Sequence, residues 1–134
     1  MRAQIAAIVA FVLIVWPSYA QEAATFLGDG VYTLPGGCAK LARIARGGPK
    51  NVHTIPETLN AQGFESWEAS CEFTKIAVEV TDRVWNTEVK CTEGPDEWTA
   101  VNRFEKVDGD TFNVTVDCET SVYKRCDVNQ RTKK

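Results

Sequence analysis

From Trp67 onward the chain alternates apolar and polar residues with a period of two, which strands satisfy and helices do not. Trp67, Ala69, Cys71 and Phe73 fall on one face, and Glu68, Ser70, Glu72 and Thr74 on the other. The phase then slips, because Ile76, Val78 and Val80 are even-numbered. A bulge or break near Thr74-Lys75 accounts for that slip. Thr81-Asp82-Arg83 reads as a turn, after which Trp85, Val89 and Cys91 resume the alternation. Glu93-Gly94-Pro95-Asp96 is a second turn.

The last hairpin is the clearest. Trp98, Ala100 and Phe104 share a face in residues 97–106, and Phe112, Val114, Val116 and Cys118 share one in residues 111–118. Asp108-Gly109-Asp110 joins them. If both sets face one core, Phe104 opposes Val114 and Ala100 opposes Cys118. That parity predicts a three- or five-residue connection. A final strand covers residues 121–126.

The earlier chain is less regular. Residues 21–28 read as a loose lead-in, residues 30–34 as a short strand, and Pro35-Gly36-Gly37 as a turn. Cys38, Leu41, Ala42 and Ala45 follow helical spacing, which predicts one short helix over residues 38–46, closed by Gly47. Residues 52–59 contain Pro56 and read as an edge strand or extended loop. Six to eight short strands and one short helix predict a mainly all-β fold, an antiparallel barrel or sandwich. Trp67, Trp85 and Trp98 all fall on the inward faces of this scheme, as core first and as a ligand-stacking wall second.

The first twenty residues have the form of a cleaved export signal. Arg2 precedes an apolar run from Ala3 to Val15, and Ser18-Tyr19-Ala20 is a small-x-small site. Cleavage there would leave residues 21–134 as one exported domain, periplasmic or extracellular. The run is too short to anchor the chain in a bilayer, and no membrane span is expected. An exported domain of 114 out of 134 residues has a modest core, and disulfides would staple it.

The cysteines are Cys38, Cys71, Cys91, Cys118 and Cys126, an odd number that leaves at least one without an internal partner. If Cys71 and Cys91 occupy neighbouring strands, they lie nearly opposite each other and can bridge. Cys38 and Cys126 would then tie the helix to the last strand. Cys118 would remain as a small apolar core residue. If exposed instead, it is the candidate for an intermolecular bridge. The absence of Cys-x-x-Cys gives no support for a zinc site or a redox pair, and no metal or cofactor is expected.

Arg2 is the only charged residue of the signal, so its removal takes the formal net charge from −3 to −4. That balance disfavours nucleic acid as a partner. Residues 93–119 hold eight acids against Arg103 and Lys106. They form either a solvated surface or an acidic face for a cationic partner, with Glu93, Asp96 and Glu97 foremost.

No catalytic constellation stands out. His53 is the only histidine, and a Cys-His nucleophile would need it beside Cys118. None of Ser66, Ser70 and Ser121 sits in a Gly-x-Ser-x-Gly elbow. Asp108-Gly109-Asp110 does not continue as a calcium loop, since Phe112 stands where an oxygen ligand is needed. The first expectation is therefore a non-enzymatic exported binding protein, of inhibitor type for example, that engages another exported or envelope protein. The second is a lipocalin-like carrier of a small apolar ligand, with Trp67, Trp85 and Trp98 around the cavity. A secreted enzyme comes third. Both leading readings are analogies of architecture with small exported barrels, and architecture does not carry function.

Overall fold

The alternating segments become the long strands of a closed antiparallel barrel. In the computed structural model, which describes Ile14 and residues 26–127, eight strands pair in chain order and the last closes on the first. They are β1 (Tyr32–Thr33), β2 (Thr58–Asn60), β3 (Gly63–Glu65), β4 (Ser70–Val80), β5 (Val84–Glu93), β6 (Asp96–Asp108), β7 (Thr111–Val116) and β8 (Glu119–Arg125). One helix, α1 (Gly37–Ala45), lies between β1 and β2. The candidate export signal lies outside the described residues apart from Ile14, as do residues 128–134. Among the described residues no helix is long and apolar enough to cross a membrane.

The phase slip in β4 is a bulge. The pairing with β5 shifts between Phe73 and Lys75, so Cys71 and Phe73 before it and Ile76 after it oppose inward-facing residues of β5. Phe104 opposes Val114 as expected. The connection, however, is a two-residue turn, Gly109-Asp110, with a second irregularity between Lys106 and Asp108. One extra residue in the strand restores the parity that an odd loop would have supplied. The turn between β5 and β6 is Gly94-Pro95, with Gly94 at φ +55°. That left-handed conformation suits the first position of a tight hairpin turn.

The expected position of Cys118 is overturned. β7 ends at Val116, which pairs with Glu119, so Cys118 lies in the two-residue turn Asp117-Cys118 and is exposed. It does not face Ala100. Alternation continues through Cys118 in the sequence, but Asp117 at φ +50° has already left the strand.

The connections sort to two ends. The turns after β2, β4 and β6 lie at one end, and those after β1, β3, β5 and β7 at the other. The first end is closed by aromatic packing. Phe26 stacks on Trp85 at 4.6 Å between ring centroids and meets Phe104 and Phe112 edge-on at 4.9 and 5.5 Å. Phe26 and Leu27 therefore belong to the core, not to a loose lead-in. Three of the eight strands are only two or three residues long, and an apolar pair at the N-terminal side fills what they leave open.

The two disulfides are Cys38–Cys126 and Cys71–Cys91, the pairing that strand geometry favours. Cys71 and Cys91 are direct cross-strand partners. Cys38 fastens α1 to the end of β8, and Thr33, fully buried, places its Oγ1 3.6 and 3.7 Å from the two sulfurs. Two formed disulfides accord with an oxidising, exported environment. The predicted helical stripe is weakly used, since Gly37 alone is fully buried and Ala45 is exposed.

Candidate functional site

The end of the barrel opposite Phe26 is open, and it forms a cup of about 710 Å³. Its wall consists of inward positions on five long strands and β3. Phe64, Val89, Ala100, Val114 and Val116 supply apolar surface, and the Cys71–Cys91 disulfide lines it as well. This is the size and character of a small-molecule site.

The three tryptophans separate. Trp85 is buried in the aromatic floor and does not line the cup. Trp98 lines the mouth and is 42% exposed, because β6 runs past the core to the rim. Trp67 lies in the connection between β3 and β4, is 50% exposed and does not line the cup. Its alternation with Ala69 and Cys71 is broken by the Ser66–Ala69 turn, where the Ser66 amide donates to the Ala69 carbonyl.

Polar groups enter the cup at few places. Asn102 sits between Ala100 and Phe104 on the inward face of β6, is only 2% exposed and lines the cup. Its amide makes no hydrogen bond among the described residues. Its cross-strand neighbour Thr87 is also 2% exposed, and the Thr87 Oγ1 is buried without a partner among them. Of the two, only the Thr87 hydroxyl is closed off without a bond, which is costly, whereas the Asn102 amide opens into the cup. The β-ladder row that starts at Thr87 continues through Asn102 and Val116 to Glu119 at the rim.

Tyr123, also inward, donates its hydroxyl to the Glu57 carboxylate. Burial pushes the Tyr123 phenol well above its ordinary range, and the bond to Glu57 and the charge of that carboxylate push the same way. The pair joins β8 to the segment before β2 and fixes one side of the cup. Every charged side chain lining the cup is acidic: Glu57, Glu65, Asp117 and Glu119.

The acidic stretch of residues 93–119 does not form one face. Glu93, Asp96, Asp117 and Glu119 lie at the open end, and Asp108 and Asp110 at the closed end. Glu97 pairs with Lys90 on the outer wall. Glu93, Asp96 and Glu97 do not line the cup. His53 is exposed, its amide bonded to Asn51 Oδ1, and it does not line the cup, whereas Cys118 does. Among the described residues no group of three or more His, Cys, Asp or Glu could hold a metal ion.

Sequence reasoning passed over Asn102, Glu57 and Tyr123, and weighed Ser121 only as a nucleophile. For Asn102 the signal was present, as a polar residue at an inward position in the series Trp98, Ala100, Asn102, Phe104. Glu57 carries no such signal, because the segment before β2 reaches the cup only through the closed barrel. No protein-family model, no curated protein and no solved structure matches the chain.

Proposed function

We propose that the mature domain is an exported binding protein whose open barrel end takes up a small, largely apolar molecule. The observation that carries this reading is the cup itself. Its wall is apolar, and at its depth stands an amide that the protein leaves without a partner. The Asn102 amide opens into an otherwise apolar depth and offers a bonding group to a ligand there, which a barrel built only as a scaffold would not need. A ligand carrying one hydrogen-bonding group and an apolar body satisfies both features. The exported location rests on the signal-like first twenty residues and on the two disulfides.

The test is titration of the mature, disulfide-intact domain with N-phenyl-1-naphthylamine, a neutral apolar probe that fluoresces when desolvated. The expected result is saturable enhancement at one probe per chain, weakened in Trp98→Ala. A linear, unsaturable response would overturn the carrier reading. It would return weight to a protein partner at the Glu93–Asp96 turn, where charge reversal of Asp96 and Glu97 tests docking through its salt dependence.

A further inference from the structure

We infer that the cup selects amphiphilic amines, molecules with an apolar body for the barrel and a protonated amine held at its mouth. This rests on the carrier reading above and names the ligand class for the same site.

All four charged side chains that line the cup are carboxylates, and no Lys, Arg or His is among the lining residues. Glu65, Asp117 and Glu119 make no ion pair among the described residues. Glu57 is engaged only by the neutral Tyr123 hydroxyl. Among the described residues, no cationic side chain of the protein pairs with the acids at the mouth. A cleft lined by one sign of charge, with apolar walls, focuses its field on the space inside. A fatty acid would bring its carboxylate into that field, and a neutral molecule would gain nothing from it. An ammonium group is attracted, and the half-exposed indole of Trp98 adds a face for a cation.

Asn102 points to a ligand independently of the acids. It is 2% exposed, lines the cup and has no partner among the described residues. It shares a ladder row with Glu119, with Val116 on the strand between them. Two strand spacings place the two backbones roughly 10 Å apart. A ligand with an amine at one end and a hydroxyl or amide at about that separation would engage both.

The experiment displaces N-phenyl-1-naphthylamine from the mature domain at pH 7 with decylamine, decanol and decanoate, each below its micelle-forming concentration. Decylamine is expected to displace the probe at about tenfold lower concentration than decanoate, with decanol between them. Added salt is expected to shrink that preference, and the double variant Asp117→Asn with Glu119→Gln to bring the decylamine-to-decanol ratio towards one. Probe binding by that variant shows that it is folded. Equal or better displacement by decanoate or decanol would overturn the amine inference and leave the carrier reading standing. Failure of the probe to bind at all would remove both.

Discussion

Phe26 stacks on Trp85 at the closed end of the barrel, so a residue only six positions beyond the expected cleavage site forms part of the core. Removing its ring would empty the space between Trp85, Phe104 and Phe112. Phe26→Ala is expected to lower unfolding free energy by about 3 kcal/mol. Urea denaturation followed by tryptophan emission reads this directly, because Trp85 would meet water in the variant. A loss within a few tenths of a kcal/mol would show that the plug is not seated in solution.

The two disulfides should differ in what they contribute. Cys71–Cys91 spans 20 residues and Cys38–Cys126 spans 88. In the chain-entropy model these closures are worth about 3 and about 4.5 kcal/mol. Double serine replacement at Cys38 and Cys126 is therefore expected to cost more than replacement at Cys71 and Cys91. The native protein should also present one reactive thiol per chain, the exposed Cys118. A thiol reagent that finds none before denaturant is added would contradict its place in the turn.

Tyr32 and Tyr123 both hold their protons above the ordinary phenol range near 10. Burial is the main cause in each, and for Tyr32 the nearby Arg125 pulls the other way. The unfolded chain gives up these protons first, so above pH 10 it binds fewer protons than the folded state. Their contribution to stability is fully present below pH 10 and is lost as pH rises beyond it. Alkaline titration of the mature domain should show phenolate absorbance rising with a midpoint above 10 while the protein is folded. A phenolate midpoint near 10 in the folded protein would sink this expectation.

Asn102 offers a way to separate binding from scaffolding. Asn102→Leu replaces an amide that opens into the cup without a partner among the described residues, and is expected to leave stability within about 1 kcal/mol. The same change should weaken ligands that carry a hydroxyl or amide more than it weakens N-phenyl-1-naphthylamine. If stability falls by 1 kcal/mol or more, Asn102 is a structural residue and the amide has partners in solution.

Much of the local structure was legible in the sequence. The bulge at Thr74, the opposition of Phe104 and Val114, and the Cys71–Cys91 bridge all follow from counting which residues share a face. Alternation records how each side chain stands to its own strand, and that is a local property. It breaks down at turns, which is why Trp67 and Cys118 were assigned inward positions and are exposed.

The amino-acid sequence by itself determined an all-β domain, the phases of its long strands and the places of most of its turns, and it only favoured one of the possible disulfide pairings. Whether the strands closed as a barrel or stacked as a sandwich was decided by the tertiary structure. The deciding contact is β1 with β8, where Tyr32 pairs with Arg125. No local period encodes a pairing between residues so far apart in the chain. The cup exists only because of that closure. Closure also brings Glu57 to Tyr123, turns Asn102 into a lone amide at depth, and gathers Glu65 at the end of β3 with Asp117 and Glu119 of the β7–β8 hairpin around one mouth.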